Sequence, residues 1–257
     1  IGELLADTNR VTAIDLQSPS LGQDALARVL AWVGAPASAQ RAAVERVNVR
    51  GARVALRGVE PISVNADLAF GADGVLRTAR FALVNGSLSA DVVPREGGAT
   101  LNLRGSRFTP PIGPAYVFDD LELTAIVSPT ELRDVQAEGS VFGGKFKAKG
   151  QARYAGSIAV DGRFYIDNLN LEPLIAAFTS GVTVTGTGDL EGTFNLRAER
   201  LDALFDQARV DFTFTGNRGA IENVDLVRAA QSAGRQGVRG GRTRYTSMRG
   251  GVRVSGR

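Results

Sequence analysis

The side chains that could do chemistry here are few in kind. The 257 residues contain no histidine and no cysteine. That removes Ser-His-Asp and Cys-His catalysis, His- or thiolate-ligated zinc and iron, and disulfides. Carboxylate and lysine chemistry is what remains. Asp119-Asp120-Leu121-Glu122 and Asp189-Leu190-Glu191 are the candidate acid pairs; a glycoside hydrolase needs two carboxyls about 5–10 Å apart. Both stretches stand at strand entries or turns, with few aromatic residues nearby to seat a sugar, so solvated turn carboxylates are the favoured reading. Gly186-Thr187-Gly188-Asp189-Leu190-Glu191-Gly192 superficially suggests a phosphate loop. Its glycine spacing is wrong for a dinucleotide fingerprint, and it leads into the strand-like Thr193-Phe194-Asn195-Leu196 where a helix N-terminus would be needed. It reads as a strand with close-approach glycines.

The cations divide into two groups. Lys145, Lys147 and Lys149 are the only lysines and share one face of a strand whose other face carries Phe146 and Ala148. Three like charges on one face suit an edge strand that resists pairing with another chain, with anionic headgroups as the second reading. Arg235, Arg239, Arg242 and Arg244 lie in an Arg/Gly-rich stretch, Gly234 to Arg244. Without interleaved aromatics it is a poor nucleic-acid site, and it reads as a mobile, solvated loop with lipid phosphate as a further option. The expectation is no enzyme, no cofactor, no metal and no nucleic-acid partner.

Composition describes what must carry these residues. The chain is 44% hydrophobic with 31 glycines, and its 30 basic and 27 acidic residues leave a net charge of +3. That supports one large β domain or two smaller ones, with many turns and bulges between short strands. No apolar run approaches the roughly 18 residues of a membrane helix. Beginning at Ile1 without a signal-like region and ending on Val252-Arg253-Val254, the chain reads as a piece of something longer.

Residues 1–44 form an N-terminal strand-helix segment. Val11 to Leu16 reads as a strand, and Asp24 to Val33 has helical spacing of apolar residues, with Trp32 packing that helix on a sheet. From Glu45 the period becomes two, with a bulge at Gly51. Ile62 to Phe70 is one-sided, and Asn85-Gly86 is a type I′ hairpin signal. Thr109-Pro110-Pro111-Ile112-Gly113-Pro114 divides a first β-subdomain, residues 45–108, from a second, residues 115–257. In the second, alternation resumes at Leu121, Leu123, Ala125 and Val127. Strands follow through Phe146, Phe164, Val182-Val184, Leu190-Leu196 and Val210-Phe214, and short helices are expected at Leu174–Phe178 after Pro173, Glu199–Ala208 and Val224–Ala233. The predicted fold is mainly β: a curved antiparallel sheet of many short amphipathic strands, forming an open groove or a sandwich, with a few short helices. An apolar sheet face must be covered by a second sheet, by helices or by an apolar ligand.

A run of residues in order resembles the AsmA family of bacterial envelope proteins. It comprises Val141-Phe142-Gly143-Gly144-Lys145-Phe146, Gly150 to Tyr154, Asn168-Leu169-Asn170-Leu171-Glu172-Pro173-Leu174, Val184-Thr185-Gly186-Thr187-Gly188-Asp189-Leu190, Ala198-Glu199-Arg200-Leu201, Gly216 to Leu226 and Gly240-Gly241-Arg242-Thr243-Arg244-Tyr245. The resemblance covers residues 45–257 and is firmest after 139. It implies a periplasmic β-rich body, held to the inner membrane by an anchor absent from this chain and related to bridge-like lipid-transfer proteins. Phospholipid or another acyl lipid would be the cargo, with outer-membrane assembly and envelope protein partners in the background. Alternation then assigns the groove to Leu121, Leu123, Phe146, Val160, Phe164, Val182, Val184, Phe194, Phe212 and Phe214, with headgroup contacts at Lys145, Lys147, Lys149, Arg242 and Arg244. A structural module that assists outer-membrane protein assembly or secretion without carrying lipid is the alternative, and a carboxylate glycan hydrolase ranks last.

Overall fold

The computed structural model describes residues 11–22, 44–55, 59–113, 116–178, 183–224 and 239–256, together with Ala25, Arg28, Val29 and Trp32. Its strands are β1 (Val11–Gln17), β2 (Ser20–Leu21), β3 (Val44–Val54), β4 (Ile62–Phe70), β5 (Leu76–Leu83), β6 (Leu88–Arg95), β7 (Gly98–Phe108), β8 (Phe118–Val127), β9 (Glu131–Val141), β10 (Gly144–Arg153), β11 (Ile158–Asn170), β12 (Thr183–Ala198), β13 (Arg209–Val224) and β14 (Arg239–Ser255). All belong to one 14-stranded sheet in the order β1-β3-β4 and then straight through to β14, with β2 beside β3. From β3 onward each strand runs antiparallel to its chain neighbour, while β1 and β2 join β3 in parallel. The chain is therefore mainly β, a long open sheet. Of the two predicted arrangements, the sandwich is not the one formed among the described residues.

The Pro-rich stretch is a loop within this sheet. β7 and β8 pair from Ala99↔Val127 to Phe108↔Phe118 on either side of it, so hydrogen bonding runs unbroken from residues 45–108 into 115–257. The shift expected at Gly51 is present between Val49 and Ala52, with Gly51 at φ 63°. Asn85-Gly86 differs from the type I′ expectation. Only Gly86 has positive φ, its N–H donates to the Leu83 carbonyl, and the Asn85 side chain accepts from the Ser87 N–H. That is a type I turn closed by a left-handed glycine, a longer hairpin loop. The two-residue form with both residues at positive φ occurs instead at Phe142-Gly143, between the paired Val141 and Gly144.

Three further expectations change. The Arg/Gly stretch is not a loop where it is described: Arg239 to Arg244 belongs to β14, held along β13 by the register Glu222↔Arg242, Ile221↔Thr243 and Ala220↔Arg244. Backbone pairing with β13, together with an Arg242–Glu222 ion pair of 2.7 Å, satisfies a segment whose composition alone looked solvated. The helix expected over Glu199–Ala208 is a single 3₁₀ turn at Leu201–Ala203 followed by further turns, whose tighter winding reverses the chain within the ten residues between β12 and β13. The lysine strand, β10, is interior, between β9 and β11. The helix expected at Val224–Ala233 lies outside the described residues after Val224, which itself ends β13.

The helix after β11, α1 (Leu171–Phe178), starts three residues before the expected Leu174 and keeps Pro173 in its first turn. Asn170 caps it, its side-chain oxygen accepting the Glu172 N–H at 3.2 Å. None of the described helices is long and apolar enough to cross a membrane.

Two elements cover parts of the sheet's apolar face. Ala25, Arg28, Val29 and Trp32 are helical, and Val29 and Trp32 pack over Leu76, Ala79, Val92, Ala99 and Val127, with the Trp32 and Phe70 rings 6.2 Å apart. At the other side, α1 lays Leu171, Leu174 and Ile175 over Leu169, Val184 and Leu190. Leu169 and Ala79 are fully buried.

Candidate functional site

Because successive strand residues point to opposite faces, the pairing register decides which side chains share a face. One row runs across the sheet through Leu16, Val49, Ala66, Phe81, Ala90, Leu103, Leu123, Ala137, Ala148, Phe164, Gly192, Phe212 and Val252. Every position is apolar or glycine. The neighbouring row on the other face runs through Asp15, Asn48, Asp67, Arg80, Asp91, Asn102, Thr124, Gln136, Lys149, Arg163, Thr193, Asp211 and Arg253, and every position is polar. A one-residue slip in any strand would mix the two. None of the bulges does so across these rows.

The apolar row is only partly covered. Ala66 is buried, Val49, Phe81, Ala90, Leu103, Leu123, Ala137, Ala148, Phe164 and Phe212 are half-buried, and the terminal Leu16 and Val252 are exposed by 43% and 38%. A second row beside it, Leu88-Gly105-Leu121-Gly139-Phe146-Ile166-Leu190-Phe214-Gly250, is better packed, with Leu121, Phe146 and Leu190 buried. The apolar face is thus closed where helices lie on it and around Leu121, Val141 and Phe146, where Tyr116, Phe118 and Phe142 pack, and half-open along the first row.

Of the ten groove residues chosen from the sequence, Val182 lies outside the described residues. The other nine fall on the apolar side: Leu121, Phe146 and Phe214 in the second row, Leu123, Phe164 and Phe212 in the first. Val160 and Phe194 flank the Gly150↔Gly162 pair, and Val184 lies under α1. Alternation in the earlier strands carries the same signal, yet Phe81, Leu103 and their neighbours were not assigned to the groove. The close-approach reading of the glycines covers Gly192, which meets Phe212, and does not extend to Gly162. A Cβ at Gly162 would stand 2.7 Å from the Phe194 ring and 3.0 Å from the Gly150 Cα, so the ring lies directly on cross-strand backbone.

The suggested headgroup residues sit elsewhere. Lys145, Lys147 and Lys149 occupy the polar face, opposite the aromatic rows. Lys145 donates to Ser140 at 2.5 Å and to Asp120 at 3.4 Å, Lys147 stands between Glu138 and Tyr165, and Lys149 is directly opposite Arg163. On this face β10 to β14 form a depression of about 1190 Å³, lined by Lys149, Arg163, Thr193, Asn195, Arg209 and Asp211 among others. Arg242 is tied to Glu222, and Arg244 lies opposite the buried Ala220.

The carboxylates have structural partners. The Ser140 hydrogen bond, helped by nearby Lys145 against partial desolvation, holds Asp120 below the usual carboxylate range. Asp189 accepts the Asn168 backbone N–H at 2.9 Å, where β11 bulges between Ile166 and Leu169. Glu122 pairs across from Arg104 on one side and Glu138 on the other. Among the described residues no group of three Asp or Glu side chains is placed to hold a metal ion.

Comparison with family models, with curated proteins and with solved structures finds no match to this chain.

Proposed function

We propose that this chain is a non-enzymatic lipid-handling module of a bacterial envelope, whose apolar sheet face shelters the acyl chains of a phospholipid or another acyl lipid. The carrying observation is the row from Leu16 to Val252: apolar at each position, continuous across the sheet, and half-buried where a folded core would be closed. Leaving such a stripe wet is costly, at about 25 cal/mol for each Å² of apolar surface, and an acyl chain laid along it recovers about 0.8 kcal/mol per buried CH₂. Contiguous apolar surface that a fold leaves partly open is a common mark of an interaction site. The order of motifs shared with AsmA-like proteins points to the same chemistry and carries the further proposals of a periplasmic location, an inner-membrane anchor outside this chain and transfer towards the outer membrane.

Native mass spectrometry of protein purified without detergent tests the reading. Phospholipid should co-purify or load from vesicles, and Phe164→Asp with Phe212→Asp should abolish loading while the circular dichroism spectrum is retained. If the parent protein neither carries nor takes up lipid, the reading fails.

One observation favours the assembly alternative. β14 is 17 residues long and pairs only with β13 among the described residues, which leaves an edge for β-addition by a protein partner. Crosslinks from that edge to an envelope protein, with the apolar face free of lipid, would favour it.

A further inference from the structure

The polar face sets opposite charges against each other across its strands, with one exception among the cations. Arg80 lies between Asp67 and Asp91, and Arg253 lies across from Asp211. Lys149 and Arg163 are the one pair of cations placed directly opposite each other among the described strands. Like charges so placed destabilise a sheet. The like-charged acids Glu122 and Glu138 are flanked by Arg104 on one side and Lys147 on the other. The flanks of Lys149 and Arg163 are Gln136 and Thr193, which carry no charge. The carboxylates on the diagonals, Glu138, Asp161 and Glu191, form no ion pair with either cation, and Arg209 is likewise without an ion pair among the described residues.

This cation pair lines the depression of about 1190 Å³ on the polar face. Beside it the floor is neutral and offers hydrogen-bonding groups, Thr193 and Asn195. Arg197 donates to the Asn195 side-chain oxygen at 3.2 Å, which leaves the Asn195 amide N–H groups as donors. Beyond that floor stands Arg209, two strand spacings and two residues from Arg163, roughly 12 Å at about 4.8 Å per spacing and 3.3 Å per residue. The β12–β13 turn adds a wall through Asp206 and Gln207. Leu204 and Ala208 anchor that wall by their burial, and the Gly256 N–H donates to the Ala208 carbonyl at 2.7 Å. The carboxylates of the lining are already engaged. Asp211 is paired with Arg253, Asp161 accepts the Gln151 amide at 3.2 Å, and Asp206 adds to the hold of Asp202 on the Arg200 guanidinium.

We propose that this depression binds a compound carrying two phosphate groups on a hydroxylated body the size of a sugar. One phosphate lies between Lys149 and Arg163, where a dianion matches two cations and relieves their repulsion; the planar guanidinium fork suits its oxygens. The second phosphate meets Arg209, and the body between them rests on Thr193 and Asn195. Hydroxyl groups can donate to Asp206, whose charge repels a third anion at the wall. The site is on the opposite face from the acyl row and does not rest on the lipid reading.

Isothermal titration of the whole chain with fructose 1,6-bisphosphate at low salt tests the site. Fructose 6-phosphate should bind at least about tenfold more weakly, and inorganic phosphate more weakly again, since each leaves a cationic group unmet. Arg163→Gln and Arg209→Gln should each weaken the bisphosphate by at least about tenfold. Arg104→Gln removes the same charge from the same face outside the depression and should change binding by less than about twofold. Thermal unfolding separates a binding role from a structural one. Without ligand, Arg163→Gln should melt no lower than the parent, because the like-charge pair is gone. The bisphosphate should raise the melting temperature of the parent and not of that variant. No binding by the parent, equal binding of sulfate and the bisphosphate at one ionic strength, or equal weakening by Arg104→Gln overturns the site, and the acyl-lipid reading keeps its own test.

Discussion

The sheet's apolar face is one continuous surface treated in two ways. Under α1, Leu169 is wholly buried and Leu171 and Leu190 nearly so; under Trp32, Leu76 and Ala79 are equally closed. Between these patches, Leu103, Leu123, Ala137, Ala148 and Phe164 remain half-buried although their residue types are no more polar. The difference lies in what covers them, not in what they are. A sheet that buried its face only for stability would extend the cover; among the described residues this one closes separate patches, the third around Leu121, Val141 and Phe146, and leaves the row between them half-open.

The largest expected effect follows directly. Leu169→Ala empties a site that the surroundings hold rigidly and should cost about 2–5 kcal/mol. Phe212→Ala, in the half-open row, removes a larger side chain yet should cost about 1 kcal/mol, since much of its surface is already in contact with solvent. Urea midpoints of the two variants at constant m-value give the comparison. Equal losses would mean that the open stretch is packed as tightly as the covered one.

The open stretch was legible only in part before the structure. Period-two patterning in Ile62 to Phe70 and in Leu121 to Val127 is strong because the two faces of each strand meet such different surroundings, so strand identity and facing were readable residue by residue. Which strands are neighbours was not: alternation says nothing about whether the face of β4 joins that of β12, and only the register shows the unbroken row. Lys145, Lys147 and Lys149 misled for the same reason. Their spacing places them on one face, but Asp120 and Ser140, which accept from Lys145, and Glu138, opposite Lys147, come from β8 and β9 and are invisible to local pattern. In Arg239–Arg244 composition imitates a solvated loop, and the pairing that orders it is non-local.

A medium effect probes the floor of the open row. A Cβ at Gly192 would stand 2.6 Å from the Phe212 Cβ and 2.9 Å from its Cα, whereas at Gly251, on the opposite face, the nearest atom is 3.9 Å away. Gly192→Ala must push backbone apart and should cost about 1–3 kcal/mol. Gly251→Ala should be neutral or stabilise by up to about 1 kcal/mol, by reducing the freedom of the unfolded chain. Thermal unfolding of both decides it. If Gly192→Ala is as harmless as Gly251→Ala, the apolar floor is looser than the closely seated rings imply.

The smallest effect lies on the polar face behind the open stretch. Asp120 is held below its ordinary pKa first by the Ser140 hydrogen bond, against partial desolvation, and then by Lys145. A depressed folded-state pKa contributes stability that is present above the unfolded carboxylate value and is lost as pH falls through the folded one. Ser140→Ala and Lys145→Ala should therefore each move the Asp120 pKa up toward the ordinary range, with the acid side of the stability profile flattening slightly in both. Because Asp120 is largely exposed, with a side-chain exposure of 56%, solvent screening keeps the gain small. Carbon-detected NMR titration of the Asp120 carboxyl resolves the shift where denaturation does not. A pKa indifferent to both changes would show that the polar face carries its charges without mutual support and that strand register alone holds β8, β9 and β10 beneath the open row.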